Sequence, residues 1–182
     1  MFRQATSSDI DVIQQLIINE AAQGRFDRRL AEEPFRTTLR KNLNNIRKRG
    51  RRLDEDVSAQ LLVWDTDDGE MAGCLINSAI VSDLGNELWV MAILPEFRGR
   101  GEGGRLKSAA LAYLHPRVDV FSRCAAEARI LYQMNLRRGF LPLEVTENGV
   151  RVMKFPKMGT TLSSQKKLDH DLEAFIELPV GK

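Results

Sequence analysis

Pro95-Glu96-Phe97-Arg98-Gly99-Arg100-Gly101-Glu102-Gly103-Gly104-Arg105-Leu106 is the stretch whose reading decides the fold. Arg98, Gly101 and Gly103 fit the spacing Arg/Gln-x-x-Gly-x-Gly. An apolar run, Leu88 to Leu94, leads into it, and a helical pattern with Leu106, Ala109, Ala110 and Tyr113 on one face leads out. Glycines let a backbone turn tightly and approach a ligand with no Cβ in the way. A helix start then presents unpaired N–H groups and the positive end of a dipole. Strand, glycine loop and helix start together form a phosphate cradle, and Arg98, Arg100 and Arg105 add charge of the matching sign.

Working outward, Phe2 to Ala5 reads as a strand, so no charged-then-apolar leader is expected at the start. Thr6 to Asp9 offers helix caps, and Ile10, Ile13, Leu16 and Ile17 recur at helical spacing up to about Gly24. A second helix is predicted over Pro34 to Arg49, with Phe35, Leu39, Leu43 and Ile46 on one stripe. Strands follow over Ala59–Trp64, Met71–Val81 and Glu87–Leu94, with turns at Asp65–Gly69 and Asp83–Asn86. Past the glycine-loop helix come a strand over Val118–Cys124 and a helix over Ala125–Arg138. A hairpin, Leu141–Val145 and Val150–Phe155, turns at Glu147-Asn148-Gly149. The order β, α, α, β, β, β, α, β, α, β, β predicts an α/β domain with a mixed sheet over residues 1–157. Residues 158–182 are expected to form a tail with a helix carrying Leu168, Leu172, Phe175 and Ile176, docked on its own domain or at a homodimer contact.

The bulk numbers narrow the class. The 182 residues are 43% hydrophobic and 29% charged, enough for one soluble domain with a real core. A net charge of +2 does not by itself imply a nucleic-acid partner. Cys74 and Cys124 sit in apolar surroundings and read as small core hydrophobes, so a reducing, cytoplasmic setting is expected. His115 and His170 without a Cys pair assemble no metal-ligand cluster, and no apolar run approaches the ~20 residues of a membrane span.

Taken together, the chain resembles the GCN5-related N-acetyltransferases (GNAT). The loop Arg98–Gly103 behind Ile93-Leu94-Pro95-Glu96-Phe97, the helix ending Arg137-Arg138-Gly139-Phe140 and the opening Arg3-Gln4-Ala5-Thr6 with Asp9 carry the likeness, and the element order agrees. The resemblance implies the GNAT fold, with about six to seven strands flanked by about four helices. It also implies an acyl-CoA, expected to be acetyl-CoA, as cosubstrate and an amine as acceptor, with no membrane role. Backbone groups around Met91, Ala92 and Ile93 would hold the pantetheine arm. Arg98, Gly99, Arg100, Gly101, Glu102, Gly103 and Gly104 would hold the pyrophosphate.

Acyl transfer to an amine needs a base, an oxyanion donor and an acid for the departing thiolate. Glu87, six residues before Ile93, matches the place of a catalytic glutamate in some family members. The oxyanion donor is expected at a strand-bulge N–H near Met91 or Ala92. In many members a tyrosine stands four residues before the glycine of the Gly-Phe pair; that position here is Asn135, a departure from the pattern. Tyr132, one turn earlier on the same helical face, is the alternative acid, within a shift of ~4.5 Å along the axis. The usual asparagine seven residues before the tyrosine position is also replaced, by Ala128.

Three other readings compete. Gly99-x-Gly101-x-x-Gly104 with Asp119 satisfies a dinucleotide fingerprint, but Pro95–Arg98 separate the first glycine from the strand end, and Asp119 begins a strand where the fingerprint needs one ended. The basic run Arg47–Arg52 could neutralise nucleic-acid phosphates, yet it has no aromatic partners and is followed at once by Asp54-Glu55-Asp56. A CoA-binding regulator without turnover would fit the missing tyrosine.

Overall fold

The computed structural model describes residues 1–80, 85–114 and 117–157. Seven strands form one sheet: β1 Phe2–Gln4, β2 Ala59–Asp65, β3 Met71–Ala79, β4 Asn86–Ile93, β5 Val120–Cys124, β6 Leu141–Val145 and β7 Arg151–Phe155. Four helices flank it: α1 Ile10–Ala22, α2 Phe35–Arg49, α3 Glu102–Leu114 and α4 Arg129–Arg137. The strand order is β1-β2-β3-β4-β5-β7-β6. Every neighbouring pair is antiparallel except β4 with β5, the pair joined through α3, because two parallel neighbours need a long crossover. The helix expected beyond Ser163, with its possible dimer contact, lies outside the described residues.

Successive side chains of the central strands go to opposite faces, and both faces are covered. Val63, Cys74, Ile76, Val90 and Ala92 pack under Ile13, Ile17, Leu43 and Ile46 of α1 and α2. Leu62, Leu75, Leu88, Val120 and Cys124 pack under Leu106, Ala110 and Leu114 of α3 with Phe140 and Met153. Burial of each such large aliphatic side chain is worth about 1.5–3 kcal/mol. The entry to α1 is fixed by Asp9, whose carboxylate accepts from the Thr6 N–H at 2.7 Å and from Arg3 at 2.8 Å. Those hydrogen bonds, Arg3's above all, hold the Asp9 carboxyl well below the usual carboxylate range. Gly50, left-handed at φ 66°, ends α2 by giving its N–H to the Ile46 carbonyl at 2.8 Å.

Three local expectations need correction. The helix predicted from Ala125 starts at Arg129. Alanines favour a helix, but here Ala125–Ala128 turn away from β5, with the Ala128 N–H on the Ala125 carbonyl at 3.0 Å and Arg151 donating to the Ala126 carbonyl at 3.2 Å. On α3, Tyr113 is 47% exposed, while Lys107 is wholly buried in its place on the packed face. The bulge in β4 falls at Trp89, because Val90 pairs with Ile76 and Leu88 with Asn77; Met91 and Ala92 pair regularly with Leu75 and Cys74.

That bulge marks the feature that positions the site. β4 and β5 pair only at Asn86↔Val120 and Glu87↔Phe121. From Leu88 and Ser122 onward the two strands part, while β5 stays zipped to β7 on its other edge through Cys124↔Arg151. A bulge bends a strand and increases its twist, which is what a sheet needs to open here.

Candidate functional site

A cavity of about 450 Å³ opens beside the parting of β4 and β5. Its lining includes Met91, Ala92 and Ile93 of β4, then Phe97, Arg98, Gly99, Gly101, Glu102, Gly103 and Gly104 of the loop and the start of α3. Ala128, Ile130, Leu131 and Met134 close it from the α4 side, and Glu20, Arg25 and Phe26 from the end of α1. Nine of the ten residues expected to hold a cofactor therefore meet in one space. The tenth, Arg100, lies off the lining, with its guanidinium 5.8 Å from the Phe97 ring centroid.

The backbone of β4 presents polar groups to this space. Leu94 donates its N–H to Ala72 of the β3 side at 2.9 Å, and antiparallel backbone groups alternate in direction. Ala92 thus spends its N–H and C=O on β3, while those of Met91 and Ile93 face the edge that β5 has left. Arg98 Nε already takes the Ile93 carbonyl at 3.0 Å. The loop turns through Gly99 at φ 76° and Gly101 at φ 85°, conformations that side chains rarely adopt, and an added Cβ at either would meet nothing within 4 Å. The Gly101 carbonyl receives the first helical bonds, from Gly104 at 2.9 Å and Arg105 at 3.0 Å. The N–H groups before them stand at the dipole's positive end.

Side-chain charge contributes less than the sequence suggests. Arg98 Nη2 is tied to Glu20 at 2.7 Å, and Glu20 also pairs with Arg25 at 3.0 Å. Arg105 pairs with Asp67 at 2.9 Å and with Glu102. Glu102, 4% exposed, accepts from Trp64 Nε1 at 2.8 Å. The Trp64 hydrogen bond, with Arg105 beside it, holds its carboxyl below the usual range. The lining carries Glu20, Glu102 and Glu127 against Arg25 and Arg98, so attraction of a phosphate falls mainly to backbone N–H groups and the helix end.

The three residues expected to do chemistry lie around the cavity and not on its lining. Glu87, 3% exposed, is the last β4 residue paired with β5 before the strands part. Arg123 grips both its oxygens, at 2.8 and 2.7 Å. Tyr132 is partly buried under the Arg151 guanidinium, 4.8 Å from its ring centroid. Asn135 is wholly buried and donates to Ser122 Oγ at 3.1 Å and to Cys124 Sγ at 3.3 Å.

Sequence reasoning passed over the far wall. Leu131 and Met134, three apart on α4, and Phe26 carry only a generic apolar signal, Glu20 and Arg25 belong to no motif, and Phe97 enters only as part of the stretch before the loop. The basic run is matched at its end: Arg51 pairs with Asp56 at 2.7 Å, and Arg52, 3% exposed, with Asp54 and with Glu55 at 3.4 Å. Among the described residues there is no cluster of metal-ligating side chains and no helix long and apolar enough to cross a membrane.

No protein-family model matches the chain, and no curated protein sequence matches it significantly. Solved structures do match. An N-acetyltransferase from Staphylococcus aureus Mu50 superposes with a TM-score of 0.62 at 15% identity, over 85% of this chain and 98% of that one. The spermidine N-acetyltransferase from Vibrio cholerae, in complex with CoA and spermine, gives 0.62 at 18% identity, over 86% and 95%. A GNAT-family acetyltransferase from Bacillus cereus gives 0.56 at 19% identity, over 87% and 97%. At such identities the likeness is one of fold: this chain has the fold of the GNAT acetyltransferases.

Proposed function

We propose that this chain is an N-acetyltransferase that moves an acetyl group from acetyl-CoA to a primary amine by direct attack within a ternary complex. The observation that carries the reading is the convergence of the glycine loop, the free edge of β4 and the start of α3 on one cavity at the parted strands. In this reading Gly99–Gly104 cradle the pyrophosphate, and Met91 and Ile93 offer backbone hydrogen bonds to the pantetheine amides. From Ile93 back to the bulge at Trp89 is four residues, about 13 Å of strand, so the arm would run along β4 toward Glu87.

The incoming amine nitrogen attacks the thioester carbon, the C–S bond breaks with its electron pair left on sulfur, and the proton lost by the amine restores the thiol. Glu87 is the proposed base, held in one geometry by Arg123. The bulge at Trp89 leaves backbone out of the β3 ladder, and an N–H there would meet the oxyanion. Cys74 and Cys124 are both buried, which favours direct attack over an acyl-enzyme.

The test is free-thiol release from acetyl-CoA against amino acids, polyamines, aminoglycosides and peptides. Release with one amine class supports transfer and names the acceptor. A second reading, a CoA-binding regulator without turnover, draws on the burial of Asn135 where the family pattern has a tyrosine. CoA binding with no release across the whole panel would favour it.

A further inference from the structure

Lys107 is a lysine with no exposed surface, on the second turn of α3. Its Nζ has no hydrogen-bond partner and lies 4.5 Å from the Phe140 ring centroid. Buried lysines are normally paired. The titratable groups that bear on it are the Cys124 thiol from β5 and the Arg138 guanidinium just past α4, and no carboxylate is among them. Burial pushes its ammonium down to about 7.

A second buried orphan belongs to the same neighbourhood. Asn135 Oδ1 accepts nothing, while its Nδ2 is spent on Ser122 and Cys124. Ser122 and Cys124 are β5 residues beyond the point where β5 leaves β4. Gly103 and Gly104, one helical turn before Lys107, line the cavity, as does Leu131, one turn before Asn135. The cluster therefore backs onto the cavity wall on the α3 and α4 side. A cation buried without a counter-ion gains most from an anion that arrives transiently.

We propose that Lys107 is the positive charge that stabilises the departing thiolate of coenzyme A, a positioning residue acting across Cys124 and Asn135. The proposal rests on the acyl-CoA reading of the cavity. It adds a charge from α3 on the side of the reaction where the sequence suggested Tyr132, whose ring lies under Arg151. The thiolate holds the electron pair of the broken C–S bond, and Lys107, in the fraction of molecules where it carries its proton near pH 7, lowers the energy of that charge until the amine's proton reaches sulfur. Lys107 is not consumed.

The test reads the thiol of bound CoA. Thiolate absorbance is titrated for CoA bound to the wild-type protein and to Lys107→Met, with acetyl-CoA affinity measured alongside. Both protein thiols are pushed up by burial, Cys74 to about 12, so neither interferes near pH 8. The apparent titration of the CoA thiol, read near pH 7 where Lys107 still holds part of its proton, should lie below that of free CoA on the wild-type protein. In Lys107→Met it should return to within a few tenths of the free value, with acetyl-CoA affinity changed less than about threefold. In parallel, the Lys107 side-chain resonance of the wild-type protein should titrate at higher pH with CoA than with acetyl-CoA. Identical thiol titrations in the two proteins, or a Lys107 resonance blind to CoA, would overturn the proposal. Failure of the folded wild-type protein to bind either ligand would overturn the reading of the cavity and this proposal with it.

Discussion

Glu20 Oε1 and Arg98 Nη2, 78 residues apart, meet at 2.7 Å and tie the end of α1 to the glycine loop. The first arginine of the loop motif is thus turned toward a carboxylate on the cavity wall, and its Nε holds the Ile93 carbonyl at 3.0 Å. A CoA pyrophosphate entering the cavity meets a guanidinium already engaged. Glu20→Gln removes that competing charge and should tighten CoA binding about three- to tenfold, roughly 1 kcal/mol. Calorimetric titration at low and high salt checks it, with the gain shrinking as salt rises. Weaker binding would mean that the pair shapes the loop for its ligand.

Gly101 separates strain from charge. With φ at 85° and nothing within 4 Å of an added Cβ, Gly101→Ala should fold and lose roughly 1–2 kcal/mol of stability to backbone strain. Gly101→Asp adds a negative charge beside the start of α3 and should weaken CoA binding at least about tenfold relative to the alanine variant. Thermal unfolding and CoA titration of the two variants distinguish the effects. Equal CoA affinity in both would remove the loop from the phosphate site.

Glu87 sits where the sheet opens, and Arg123 fixes its carboxylate. Once an acceptor is found, Glu87→Gln should lower kcat by about 10²- to 10⁴-fold and abolish the limb of the pH–rate profile owed to the base. Acetyl-CoA affinity should stay within about threefold of wild type, because Glu87 lies off the cavity lining. An unchanged pH profile would remove Glu87 as base.

Much of this molecule is legible in its sequence, for identifiable reasons. Strict periodicity made α1 and α2 readable: Ile10, Ile13, Ile17, Leu39, Leu43 and Ile46 are buried where the spacing puts them, while Phe35, expected on the same α2 stripe, is 37% exposed at the helix start. The loop was readable because Gly99 and Gly101 take a backbone that other residues resist. The rest depends on contacts between distant residues. No local signal reports that β4 bulges at Trp89, since the bulge is a property of its pairing with β3. Lys107 carries the charge of a surface residue, and its burial comes from the fold around it, with the Phe140 ring centroid 4.5 Å from its Nζ. Asn135 could be named as a departure from the family pattern, but its hydrogen bonds to Ser122 and Cys124 exist only in the folded chain.

Lys107 also makes a prediction about stability alone. Its folded-state value is pushed down to about 7 from the ordinary 10.5 by burial. Below about pH 7 both folded and unfolded chains carry the proton, and the folded state bears the full cost of a buried charge. Between about 7 and 10.5 the unfolded chain keeps the proton and the folded chain does not, so this lysine makes stability rise with pH, by up to about 1.4 kcal/mol per unit. Above 10.5 neither carries it and the contribution is flat. Lys107→Met has no such group and fills the same volume with an unbranched apolar chain. The variant should therefore be more stable than wild type by a few kcal/mol, on the order expected from such a shift, at pH 7 and below. Its advantage should shrink steadily toward pH 10. The difference between the two proteins isolates Lys107 from the other titrating groups, including the Cys74 thiol, whose value is raised. Urea unfolding midpoints at pH 6, 7, 8 and 9 measure it. A constant difference across that range would mean that the Lys107 ammonium keeps its proton in the folded protein, and so holds a full charge in the core.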